Sequence, residues 1–252
     1  MSELVSLVRT ADGSKTDGGL AVVVGARHAS PSSAIRGREA AGEDRGQSPP
    51  GTDPTDLRLL VLLHGRGADE HDLWPLLDLL DPERRLLGIT VGAPLRLPPG
   101  GKHWYALGGI PTPDPTSFHE TAPKLAAFLD GLPAPLERVV LGGFSQGAVM
   151  SWALALGPGR PRPAAIVAMS GFLPQVERWP LSLADLDGYP VAIAHGSADP
   201  VIPASFGRTA ADTLAAAGAD VLRLETAVPH TVDPAWLEPL RAFVAGAIQS
   251  RR

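Results

Sequence analysis

The sequence predicts an α/β fold, a mainly parallel central sheet with helices on both faces. Three observations carry that reading. Short runs of apolar residues alternate with longer segments of helical periodicity from residue 57 onward. The runs carry almost no polar positions, as expected of strands covered on both faces. Small-residue loops follow the runs, and in one of them a serine stands between two glycines directly after a strand, in Gly143-Phe144-Ser145-Gln146-Gly147.

In chain order, two short apolar runs at 4–8 and 20–24 flank Asp12-Gly13-Ser14 and Gly18-Gly19 and read as an N-terminal hairpin within residues 1–24. Residues 25–56 are rich in Ser, Pro, Gly, Arg and Glu and offer little to bury, so a mobile loop is expected there. A strand is predicted over 57–63. A helix over 69–80 follows, with Asp69 as its N-cap, then a strand over 87–91. The Pro- and Gly-rich stretch 93–115 leads into a helix over 116–129. Next come the strand 138–144, a helix over 146–156, strands over 164–169 and 191–194, a helix over 204–217, a strand over 221–225 and a helix over 234–248. One domain is expected, with residues 57–248 as its catalytic core.

Composition excludes several classes of function. The chain has 252 residues, 44% of them hydrophobic, enough for one substantial core. Its net charge is −5, with no basic block, so nucleic acid is not an expected partner. Cysteine is absent, which removes disulfides, thiolate metal sites and a cysteine nucleophile. No stretch approaches eighteen apolar residues and the N-terminus lacks a signal pattern, so a cytoplasmic protein without stable membrane insertion is expected. No histidine pair stands at i, i+4 on a predicted helix, and no metal or organic cofactor is expected. Monomer and homodimer are both left open.

The serine pattern alone is weak. With 28 glycines and 15 serines, chance supplies about 0.2 such matches. Its context strengthens it, because a strand, a tight turn and a helix push the hydroxyl into the open. A serine hydroxyl needs a base and a group that orients the base. Asp199 lies in the small-residue loop after the strand 191–194, and His230 follows the strand 221–225. Serine, acid and histidine thus come in that order, each beyond the carboxyl end of a different strand, where parallel sheets place their sites. Asp199 could instead cap the helix beginning near Pro203. Asp233 and Asp187 are weaker rivals for the acid: the first follows the histidine and the second precedes its strand.

The oxyanion of a tetrahedral intermediate needs two donors. The backbone N–H of Gln146 is one, at a helix N-terminus. The loop Leu63-His64-Gly65-Arg66-Gly67-Ala68-Asp69 supplies the second, from Arg66 or Gly67, with His64 holding the loop rather than reacting. Apolar residues in two loops, among them Trp104, Tyr105, Phe172 and Leu173, are expected to line a substrate groove. The segment 170–188 leaves no room for a large cap domain, so an open site is expected.

These motifs together resemble the phospholipase/carboxylesterase family of small α/β-hydrolases, which includes the acyl-protein thioesterases. The resemblance rests on the His64–Asp69 loop, Gly143-Phe144-Ser145-Gln146-Gly147-Ala148, His195-Gly196-Ser197-Ala198-Asp199-Pro200-Val201-Ile202-Pro203 and His230. It implies Ser145, Asp199 and His230 as nucleophile, acid and base, and the amides of Arg66 and Gln146 as oxyanion hole. The thioesterase branch carries leucine after His-Gly and aspartate after the next glycine; here Arg66 and Ala68 stand there. The expected activity is carboxylic ester hydrolysis on a small-molecule ester, with an acyl-thioesterase, a lysophospholipase or a non-catalytic binding protein as alternatives.

Overall fold

The computed structural model describes residues 20–25 and 57–248. One seven-stranded sheet organises them. Its strands are β1 (Ala21–Gly25), β2 (Leu59–Leu63), β3 (Leu87–Gly92), β6 (Val139–Phe144), β7 (Ala165–Met169), β8 (Pro190–Gly196) and β9 (Asp220–Thr226). They lie in the order β1-β3-β2-β6-β7-β8-β9, with β1 antiparallel to β3 and every other neighbour parallel. Such a sheet needs helical crossovers, and the chain supplies α1 (Trp74–Leu80), α2 (Pro115–Asp130), α3 (Gln146–Ala155), α4 (Ala204–Ala216) and α5 (Leu237–Ala247).

The near-absence of polar residues in β2 follows from this architecture. Side chains alternate across a strand, so Leu59, Val61 and Leu63 pack on one face, against Val149 and Met150 of α3 and Leu125 of α2. Leu60 and Leu62 pack on the other face, against Leu76, Leu77 and Leu80 of α1 and Leu240 and Val244 of α5. A third cluster joins Trp152 of α3 to Ile166, Val191 and Leu214, and so carries the α3 face across to α4. Among the described residues, no helix is long and apolar enough to cross a membrane.

Three elements differ from expectation. The helix predicted over 69–80 begins at Trp74, because Pro75 suits a first helical turn while Asp69 closes a separate turn by accepting from the His71 amide at 2.9 Å. The stretch 93–115 contains a small antiparallel ribbon, β4 (Leu95–Arg96) with β5 (Lys102–His103). Two-residue strands are too short to show a period. The last predicted helix opens as a 3-10 turn over Pro234–Trp236 before α5. Ala21–Gly25 forms the antiparallel edge strand β1. The remainder of the expected hairpin, including its arm at 4–8, and the segment 26–56 of the expected loop lie outside the described residues.

Leu62 is fully buried in β2, which is paired on both edges. Leu62→Ala is expected to cost about 2–5 kcal/mol, seen as a lower urea midpoint at unchanged m-value. A loss below about 0.5 kcal/mol would contradict this packing.

Candidate active site

β6 ends in Gly142-Gly143-Phe144 and the chain then reverses into α3 through Ser145. Ser145 sits at φ 55° and ψ −120°, a left-handed conformation costing an L-residue on the order of 1–3 kcal/mol. Its amide is fixed by donating to the Met169 carbonyl at the end of β7, at 2.9 Å. The following turn packs directly on the end of β2. A Cβ on Gly147 would overlap the Leu63 carbonyl, and one on Gly143 would meet the same oxygen at 2.7 Å. The two glycines around the serine are therefore dictated by backbone approach.

Two further strand ends bring partners to the hydroxyl. β8 and β9 pair as far as Gly196 with Thr226, two residues and one residue beyond the predicted ends, and their loops converge on Ser145. His230 Nε2 lies 2.9 Å from Ser145 Oγ, and His230 Nδ1 lies 2.6 Å from Asp199 Oδ2. A carboxylate can only accept, so Nδ1 carries the proton and Nε2 is free to accept from the hydroxyl. Asp199 Oδ1 accepts from the amides of Val201 and Ile202 at 2.8 and 2.9 Å. Burial is the largest single influence on this carboxyl and pushes its pKa up. The hydrogen bonds from His230, Ile202 and Val201 together outweigh it, so Asp199 titrates below the ordinary carboxylate value. Phe144 backs the imidazole, with ring centroids 4.8 Å apart.

On the opposite side, the loop after β2 comes close to the serine: a side chain on Gly65 would lie 3.4 Å from Ser145 Cβ. The Gly67 amide is occupied, donating to the Lys102 carbonyl at 2.8 Å. The amides of Arg66 and Gln146 make no backbone hydrogen bond among the described residues. Of the two amides expected as alternative second donors, Arg66 is the one without a backbone partner among the described residues. His64 holds this loop through both ring nitrogens. Nδ1 donates to the Gly65 carbonyl at 2.7 Å, and Nε2 accepts from the Ala93 amide at 3.0 Å. Burial lowers its pKa, which keeps the imidazole neutral as that pairing requires.

The β4–β5 ribbon braces the same loop. Lys102 donates its amide to Ala68 at 2.7 Å and its ammonium to Glu70. The Gln146 side chain then ties the elbow to the chain after the ribbon, accepting from the Trp104 amide at 3.0 Å and donating to the Tyr105 carbonyl at 2.9 Å. Trp104 Nε1 donates to the His64 carbonyl at 2.8 Å. The sequence reading did not identify Lys102, Glu70 or the Gln146 side chain, and no spacing could link residues about forty positions apart.

The expected substrate groove needs correction. Trp104 and Tyr105 are 0% and 2% exposed, packed in the core with their large apolar area buried, and the Trp104 indole N–H donates to the loop after β2. Phe172 is buried against Phe206, with ring centroids 6.1 Å apart. Leu173 borders a cavity of about 620 Å³, together with Val176, Trp179, Leu181 and Phe206, and Trp104, Tyr105 and Phe172 do not line it. Ser145, Asp199 and His230 do not line it. A second cavity, of about 390 Å³, is lined by His230 and Phe144. Among the described residues no group of three or more His, Asp or Glu is placed to hold a metal ion.

Comparison with known proteins agrees with this architecture. A family model described as phospholipase/carboxylesterase matches residues 52–248. An acyl-protein thioesterase 1 from Mycosarcoma maydis is 35% identical over 130 residues, 49% of this chain and 53% of that protein, so the match spans about half of that relative. The acyl-protein thioesterase 1 of Candida albicans is 26% identical over 219 residues, 75% of this chain and 92% of that protein. The crystal structure of the Bacillus cereus carboxylesterase superposes with a TM-score of 0.66 at 24% identity, over 77% of this chain and 90% of that one. The chain belongs to the phospholipase/carboxylesterase family.

Gly147→Ala is expected to lower Tm by at least about 5 °C, since the new methyl meets backbone rather than a movable side chain; an unchanged Tm would contradict the elbow packing. A pH scan tests the buried histidines. Burial holds His64 and His195 below the ordinary 6.5 in the folded protein. Below pH 6.5 the unfolded chain therefore binds protons that the folded chain does not, and stability falls as pH drops through that range. Tm is expected to be flat from pH 7 to 8 and to decline toward pH 5. His64→Gln should flatten the decline, and an equal decline in the variant would contradict the assignment to His64.

Proposed function

We propose that this member of the phospholipase/carboxylesterase family is a serine hydrolase that cleaves carboxylic esters through an acyl-enzyme on Ser145. The observation that carries this reading is the unbroken hydrogen-bonded line from Ser145 Oγ through His230 to Asp199, at 2.9 and 2.6 Å. His230 Nε2 takes the hydroxyl proton as Oγ attacks the carbonyl carbon, while Asp199 holds the ring and stabilises the imidazolium. The oxyanion is stabilised by the amides of Arg66 and Gln146. The second of these opens α3, so the partial positive end of a helix faces the charge. Donors of this kind are worth about 2.7–4 kcal/mol each in the transition state. His230 then protonates the leaving oxygen, and water activated by the same nitrogen releases the acid.

A thioester reading is favoured by the curated relatives, whose names are acyl-protein thioesterase 1. The same groups serve it, since only the leaving atom changes. Oxygen esters and thioesters with one shared acyl group separate the two readings by their kcat/KM.

A fluorophosphonate probe is expected to label the wild-type protein and not Ser145→Ala. Ester hydrolysis should fall at least about 10⁴-fold in that variant, and on the order of 10⁴-fold in Asp199→Asn, where the ring loses its fixed tautomer. A folded wild type that resists the probe, or a Ser145→Ala variant that keeps its activity, would refute the proposal.

A further inference from the structure

We propose that the cavity of about 390 Å³ beside His230 receives the leaving group of the ester, and that it selects an apolar alcohol. This rests on the serine-hydrolase reading above. In the acylation step the bond from the carbonyl carbon to the alkoxy oxygen breaks. The proton taken from Ser145 Oγ passes from His230 Nε2 to that oxygen, which departs as the alcohol. The leaving oxygen must therefore come within about 2.6–3.2 Å of Nε2. Whatever it carries has to extend along the wall that His230 itself forms.

Of the two cavities described above, only this one has that wall. The larger one, bordered by Trp179 and Phe206, contains none of the three residues of the proton path, so a group bound there gains no proton from His230. The smaller one is framed by Leu73, Leu76 and Leu79 on one side, Val232 and Leu237 on the other, and Phe144 beside the imidazole. These side chains offer dispersion contacts and no hydrogen bonds. Its volume is in the range of small-ligand pockets. Leu79 is 42% exposed, so water covers this apolar wall when no group occupies it. Asp72 is the one carboxylate in the lining, and it disfavours an anionic leaving group.

The test varies the two halves of the ester separately. Acetates of ethanol, butanol and hexanol share one acyl group and nearly one leaving-group basicity, so differences report binding of the alcohol. In the wild type kcat/KM is expected to rise about tenfold or more from ethyl to hexyl acetate, as buried methylenes contribute. Leu79→Trp fills the outer wall at an exposed position. It should remove most of that rise and leave the dependence of ethyl esters on acyl length unchanged. The inference is overturned if alcohol length has no effect in the wild type, or if Leu79→Trp alters the acyl-length dependence instead. It is also overturned if light scattering shows a dimer that Leu79→Trp dissociates, because the face would then belong to a second copy of the chain. Failure of the serine-hydrolase reading looks different: the wild type would neither take the phosphonate label nor hydrolyse ethyl acetate.

Discussion

The site depends on one close backbone approach, the first turn of α3 lying against the carboxyl end of β2. Gly147 leaves no room for a methyl group there, because the Leu63 carbonyl occupies the space. That contact fixes two things at once. It holds Ser145 in a conformation that an isolated chain avoids, with a further hydrogen bond from its amide to Met169 at 2.9 Å. It also brings the continuation of β2, the His64–Arg66 loop, up to the serine, so that the proposed nucleophile and the proposed second oxyanion donor are set by the same packing. The strain is offset by the buried sheet around it, where Leu59, Val61, Leu62 and Leu63 are all 0% exposed.

A second layer of contacts keeps the loop from relaxing. Neutral His64 bridges its own loop and the Ala93 amide, the ribbon carrying Lys102 pairs with Gly67 and Ala68, and the Gln146 side chain locks Trp104 and Tyr105 to the elbow. Gln146 thus joins the two sides of the site, its backbone following Ser145 at the start of α3 and its side chain bracing the opposite loop. An oxyanion hole gains its advantage from being organised before charge develops, and in the proposed mechanism these contacts supply that organisation. On the other flank, Asp199 is held by two amides of its own loop as well as by His230, so its carboxylate is oriented independently of the imidazole.

Much of this was legible in the sequence, for a physical reason. In a parallel sheet each strand delivers its following loop to one edge, so residues just after strand-like runs share a neighbourhood however far apart they stand in the chain. Ser145, Asp199 and His230 each follow such a run, and the glycines flanking Ser145 report the tight turn. What was not legible arises from contacts between segments without periodicity. The ribbon at 95–103 is two residues wide on each side, and the Asp69 turn mimics a helix start. Trp104 and Tyr105 looked like groove residues because apolar loop residues suit either a wall or a core. Only the partner at His64, 40 residues away, distinguishes the two for Trp104. The cavity at His230 joins α1 to the residues before α5, a juxtaposition made by the sheet order rather than by either segment.

The central claim is that the elbow contact places the Arg66 and Gln146 amides around one point beside Ser145 Oγ. The crystal structure of the protein after reaction with a fluorophosphonate tests it most directly, because the phosphonyl oxygen occupies the position of the oxyanion. The account requires that oxygen to lie within about 2.7–3.1 Å of both amide nitrogens, with the His64–Arg66 loop unmoved. A phosphonyl oxygen turned toward solvent, or bound by one amide only after the loop has shifted, would contradict it.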